Sequence, residues 1–213
     1  MKLPKSVLIK DTVSLFANKY KYKIVLVCPG AGFFRGNKLD YALEKLTEIQ
    51  SGSYNPSWFK TKSKEDLEYC FALHTVLSSL VDYDVRIEQP LLNFYTNTPG
   101  NLEKLAALDS NRVKYICLPN KNIGVLEKNT VVVKKLDYKY KIYLGSSKQD
   151  HSSFIKWCEN NSKLRLTKSA KRDLSKNRSW GGSYLYVKDD KTLTMVRMFL
   201  GSTIIKIDTV IKG

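Results

Sequence analysis

Apolar and polar positions alternate most regularly over residues 20–28, where Tyr20, Tyr22, Ile24, Leu26 and Cys28 share one parity. A period of two predicts a strand with one buried face. Pro29 ends it, and PGAGFFRG (29–36) reads as a glycine-rich loop. Leu39, Leu43 and Leu46 then recur at helical spacing, which predicts a helix over 39–49. Beyond the polar stretch QSGSYNPSWFKTK, Ser63 precedes an apolar stripe of Leu67, Phe71, Val76, Leu77 and Leu80. SKED fits a capping box with Asp66 in place of glutamate, so a helix is predicted over 64–81. YDVRIEQP, LLNFYTN and RVKYICLP predict strands, the first and third stopped by proline. Between the last two, Thr98 and Pro99 mark the start of a helix continuing as NLEKLAAL.

Further on, residues 129–145 predict an extended segment with a bend at LDYK. HSSFIKWCENN predicts a short helix capped by Ser152 or Ser153, and KLRLTKSAKRDLSKNRS a partly helical basic segment. SYLYVKD and TLTMVRMFLGSTIIKIDTVIK predict closing strands, with Asp189, Asp190 and Lys191 turning between them and Gly201 marking a bulge or break. At the other end, SVLIKDTVSLF is a short amphipathic segment inside a basic lead-in, residues 1–17. The whole pattern predicts an α+β fold of antiparallel or mixed sheets with flanking helices.

KYKYKIVLV (19–27) resembles DYKYKIYLG (137–145), and each is followed by a glycine, helical segments and further strands. Two similar β-α-β modules would account for this. So would two lysine- and tyrosine-rich strands in a biased sequence. The expected division is 1–128 and a basic 129–213, with one compact domain as the alternative.

Charge changes the picture most. The chain carries 36 Lys and Arg against 20 Asp and Glu, a net charge of +16. Residues 1–133 hold 18 basic and 13 acidic side chains, residues 134–213 hold 18 and 7, so the excess is +5 and +11. Such a charge steers a protein toward polyanions: nucleic acid first, an anionic membrane surface second. Lys, Asn, Tyr and Ile are frequent, as in a protein from an AT-rich genome, and the composition resembles that of phage and other viral accessory proteins. That bias explains lysine over arginine but not the shortage of acids. The start of the chain lacks the sustained apolar core of a signal peptide, and no apolar run reaches the length of a membrane span. No membrane insertion is expected, and the cytoplasm, a host cytoplasm or a virion is the expected location. Cys28, Cys70, Cys117 and Cys158 form no CxxC pair and three sit in apolar runs, which predicts buried free thiols and no metal site.

The basic peak is KLRLTKSAKRDLSKNR (163–178). Lys163, Arg165, Lys168, Lys171, Arg172, Lys176 and Arg178 face one acid, Asp173. On a helix Lys168, Lys171 and Arg172 would share a side, where a phosphate backbone would relieve their repulsion. Trp180 and Tyr184 follow at once. Cations beside aromatics are what single-strand binders use, and Tyr140, Tyr143, Tyr184 and Tyr186 could form a stacking platform on a sheet. The leading expectation is therefore a noncatalytic DNA- or RNA-binding protein that takes single-stranded or structured nucleic acid and requires no cofactor. A structural or assembly protein of a viral particle, contacting itself or other viral proteins, is the first alternative. A magnesium-dependent nuclease is the second: Asp82, Asp84 and Glu88 flank one strand, and Lys114 on another is the lysine that would approach them. Gly30, Gly32, Arg35 and Gly36 could cradle an anion, although the loop has neither GxGxxG nor GKS/GKT. His74 is read as helix packing and His151 as solvent-facing, which leaves no nucleophilic triad.

Overall fold

A computed structural model describes residues 3–4, 7–57, 59, 63–120, 126–134, 136–176 and 182–212. The chain divides into two compact units, one of residues 1–12 and 19–120, the other of residues 13–18 and 121–213.

The first unit runs β1 (Ile9–Thr12), β2 (Tyr22–Val27), α1 (Leu39–Ser51), α2 (Lys64–Ser78), β3 (Tyr83–Glu88), β4 (Leu91–Thr96), α3 (Pro99–Leu108) and β5 (Val113–Pro119). Its sheet order is β1-β5-β2-β4-β3, and every pairing is antiparallel except β1 with β5. The second unit runs β6 (Thr130–Val133), β7 (Tyr140–Leu144), α4 (Ser152–Glu159), β8 (Leu164–Leu166), α5 (Lys168–Leu174), β9 (Tyr184–Val187), α6 (Asp190–Leu200) and β10 (Ile204–Lys212). Its order is β6-β10-β7-β9-β8, again antiparallel except for β6 with β10.

Relabelled in chain order, the two sheets have one strand order and one set of directions. Without its parallel edge strand, each keeps the strand order and directions of a split β-α-β sheet, with two helices between β2 and β3 in the first unit and an added helix, α5, between β8 and β9 in the second. Finer details repeat as well. A 3-10 turn joins the last helix to the last strand in both units, at Ser110–Arg112 and Gly201–Thr203. A bulge interrupts the pairing of that strand at the same place, between Val25 and Leu26 opposite β5 and between Ile204 and Lys206 opposite β7. An extra residue there, Lys114 or Ile205, bends the strand without changing the face on which its neighbours lie. The likeness of 19–27 to 137–145 thus falls on equivalent strands, and the α+β fold consists of two similar sheet modules.

One face of each sheet is buried under helices. In the first unit Ile24, Leu26, Leu92, Phe94 and Ile116 meet Leu46, Leu73, Leu77, Leu102 and Leu105. In the second, Ile142, Leu144, Leu185 and Val187 meet Phe154, Leu174, Leu193, Val196 and Leu200. All four cysteines are buried free thiols. Among the described residues no helix is long and apolar enough to cross a membrane.

Several local expectations change. The stretch read as a strand from Thr192 to Leu200 is α6: Leu193, Val196 and Leu200 are buried at helical spacing, and the Asp189 side chain accepts from Thr192 N at 2.8 Å. The amphipathic segment near the N-terminus contains a strand, β1. On α1 the buried positions are Ala42 and Leu46, while Leu43 is exposed, so the stripe is rotated from the expected one. His151 is not solvent-facing: it is buried before α4 and hydrogen-bonds Ser147 Oγ at 2.8 Å, and burial pushes its pKa down.

Candidate nucleic-acid interface

The face of the second sheet opposite its helices is set by strand register. Arg165 on β8 lies across from Tyr186 on β9, Tyr186 from Lys141 on β7, and Lys141 from Asp208 on β10. The next row holds Tyr184, Tyr143 and Lys206. Alternation puts these side chains on one face because their neighbours Ile142, Leu144, Leu185 and Val187 are buried on the other.

The aromatics form a connected group. Tyr184 meets Tyr186 edge-on at 5.6 Å between centroids and Tyr143 at 6.2 Å, and Tyr138 joins at 5.7 Å from Tyr186. Lysines sit on the rings: Lys141 Nζ is 4.0 Å from the Tyr184 centroid and 4.7 Å from that of Tyr143, and Lys206 Nζ is 5.4 Å from Tyr143. Beneath them Asp208 is fully buried, and its carboxylate holds Lys206 Nζ at 2.9 Å. Burial lowers the pKa of Lys141, the Asp208 charge opposes that shift, and Lys206 adds to it. Burial and then the Asp208 charge push the Tyr143 hydroxyl well above the ordinary tyrosine value, so it stays protonated and can donate. A cleft of about 380 Å³ includes Tyr138 in its wall, with Lys139, Lys163, Lys188, Asp137 and Asp189.

A lysine over a ring is worth about 0.5–1 kcal/mol when exposed and about 2 kcal/mol or more when desolvated, and Lys141, whose pKa burial lowers, sits over half-buried rings.

The basic segment 163–178 is divided between surfaces. Arg165 joins the tyrosine face, while Lys163 lines the cleft and pairs with Asp189 at 2.9 Å. Lys168, Lys171 and Arg172 lie on α5, whose Ala170 and Leu174 are buried in the helix-side core. They are exposed there, Lys171 held by Glu159 at 2.6 Å and Arg172 beside Asp173 at 3.7 Å. Lys176 is exposed just beyond that helix. Arg178 and Trp180 lie outside the described residues. Of the four tyrosines, Tyr143, Tyr184 and Tyr186 come together, whereas Tyr140 packs toward the helix-side core and its hydroxyl donates to Asp190. Lys141, Lys206, Tyr138 and Asp208 were not singled out in the sequence. Lys141 shares parity with Tyr143, which was a usable signal; Lys206 and Asp208 needed the strand pairing.

The nuclease constellation is not assembled. Asp82 pairs with Lys19 at 3.0 Å. Asp84 and Glu88 do share the exposed side of β3, but Arg86 stands between them and holds Glu88 at 3.1 Å. Lys114 is on β5, three strand spacings away, or about 14 Å. Among the described residues no three metal-ligating side chains converge. The loop of Gly30, Gly32, Arg35 and Gly36 enters a 3-10 segment, Ala31–Asn37, that buries Ala31, Phe33 and Phe34. The N–H groups of Ala31 and Phe33 are donated to the carbonyls of Cys28 and Gly30, so the backbone turns inward and those donors are spent.

Compared with protein-family models, with curated proteins and with solved structures, the chain gives no match.

Proposed function

We propose that this is a noncatalytic nucleic-acid-binding protein that takes single-stranded DNA or RNA on the tyrosine face of its second sheet. The observation that carries the reading is the joining of Tyr143, Tyr184 and Tyr186 with Lys141, Lys206 and Arg165 on the face opposite the helices. Bases stack on Tyr143 and Tyr184, whose rings are half-buried, with Tyr186 buried beside Tyr184, and lysine and arginine meet the phosphates. Four-stranded sheets with aromatics on their middle strands read single-stranded RNA in this way. Connectivity alone would not justify the assignment, because one fold hosts many functions. The net charge of +16 supplies attraction at a distance.

The test is a salt titration of binding to single-stranded and duplex DNA and RNA. Single strands are expected to bind more tightly, with affinity falling steeply as salt rises. Tyr184→Ala is expected to weaken single strands by about tenfold, from one lost stacking contact, and duplex less. Equal loss on both strand forms would remove stacking from the account. Binding no stronger than to heparin would reject the reading.

A further inference from the structure

The first sheet has the equivalent positions on its face opposite the helices, of which Val25, Asn93 and Cys117 are buried. Lys10 of β1, Cys117 of β5, Lys23 of β2 and Tyr95 of β4 form one row. Tyr115, Val25 and Asn93 form the next. With the equivalent strands matched, Lys23 stands where Lys141 stands and Tyr95 where Tyr186 stands. The other positions of these rows have changed: Cys117 for Asp208, Tyr115 for Lys206, Val25 for Tyr143, Asn93 for Tyr184, and Asp84 for Arg165, which reverses a charge. Identity is thus kept at a lysine and a tyrosine that the helix-side core does not require.

The surroundings suit the same ligand. Lys10 Nζ is 3.9 Å from the Tyr115 centroid, and Lys23 Nζ is 5.4 Å from Tyr115 and 5.5 Å from Tyr95. Both tyrosines are half-buried, so each ring is fixed while part of it remains accessible. The carboxylates on this face, Asp84 and Glu88, lie on the edge strand β3, where Asp84 stands directly across from Tyr95 and Glu88 is held by Arg86, while Asp11 of β1 has the parity of Ile9, on the helix side. The face over β1, β5, β2 and β4 therefore brings two cations to two aromatics, with Tyr95 next to the acidic edge and Tyr115 two strands further from it.

We infer that this face is a second subsite for single-stranded nucleic acid, with bases on Tyr95 and Tyr115 and phosphates at Lys10 and Lys23. The inference rests on the proposed function of the second sheet and adds a site to it. Ultraviolet cross-linking of the full chain to oligothymidylate and oligouridylate of about 16 nucleotides, a length near the upper end of single-domain site sizes, tests it. Peptide mass spectrometry is expected to find adducts at Tyr95 or Tyr115 as well as at the tyrosines of β7 and β9. The Lys23→Met, Tyr115→Ala double variant is expected to bind these strands about tenfold more weakly, with the β9 adducts retained. Circular dichroism of the variant checks its fold, and the cross-links of the unaltered chain stand independently of that variant. Adducts confined to β7 and β9, with the double variant binding as before, would overturn the second subsite and leave the proposed function intact. Adducts on neither sheet would overturn both. The thymidylate and uridylate arms show whether the site takes DNA, RNA or either.

Discussion

Gly30 shows how closely the first core is packed at the start of the glycine-rich loop. A Cβ built there would lie 2.6 Å from Cys70 Sγ and 3.4 Å from the rings of Phe33 and Phe59. All three neighbours are buried, so little can give. Gly30→Ala is expected to cost about 1–3 kcal/mol, the usual range for overpacking a core. Cys70→Ala removes the nearest atom, and in that background the glycine substitution should cost much less. Equal costs in both backgrounds, measured by chemical denaturation, would mean that the clash is relieved elsewhere. Lys141 supports a different test. Its pKa is lowered by burial, so it loses its proton at a lower pH than an exposed lysine. The charged form is the one that meets phosphate. Affinity for single strands is therefore expected to begin falling, as pH is raised, before exposed lysines titrate near their usual value of about 10.4. Lys141→Arg keeps the charge throughout and should flatten the early part of that decline. Parallel profiles for the two proteins, at fixed ionic strength, would place the titrating group elsewhere.

At the scale of elements, the strands of the first unit and the Ser63 cap were the most legible features of the sequence, whereas Ser152 and Ser153, expected to cap α4, lie inside it and His151 stands at the cap position. Tyr22–Val27 follows a clear period of two and is a strand. Ser63 was expected to cap a helix, and its hydroxyl accepts from Asp66 N at 3.1 Å. Thr98 also precedes a helix, but its side chain makes no cap bond, and Pro99 begins the first turn. Ser63→Ala is therefore expected to cost about 1 kcal/mol, and Thr98→Ala only a few tenths, in denaturant unfolding. Comparable losses would show that Thr98 acts through a contact other than capping. The misreading of α6 has a physical source. Thr192, Thr194, Val196 and Phe199 are residue types that suit strands, and Met195, Arg197 and Phe199 alternate with apolar neighbours. The burial of Leu193, Val196 and Leu200 against the sheet overrides that propensity. The candidate site was legible in part for a related reason. Strand alternation in SYLYV and KYKIY puts Tyr184, Tyr186, Lys141 and Tyr143 at facing parities. Which strand meets which is a long-range fact, so Arg165, Lys206 and Asp208 joined the group only through the pairing of β8 and β10 with their neighbours.

At the scale of the molecule, the repeated fold separates net charge from local placement. The net charge of +16 attracts any polyanion, whatever surface finally receives it. Two triple substitutions to glutamine remove the same charge from different surfaces of the second unit. Lys168, Lys171 and Arg172 lie on α5, on the helix side of the sheet, and two of them stand beside acids. Lys141, Arg165 and Lys206 lie on the tyrosine face. If long-range attraction dominates, both variants lose affinity equally, because phosphate binding then counts charges and not positions. If the strand is held on the tyrosine face, the Lys141, Arg165, Lys206 variant loses more affinity and more of the salt slope. The α5 variant should then mainly slow association, since distant charges steer encounter more than they hold a complex. Association and dissociation rates with labelled single strands resolve the two cases. Faster dissociation confined to the tyrosine-face variant supports local recognition, and equal dissociation in both returns the binding to net charge alone.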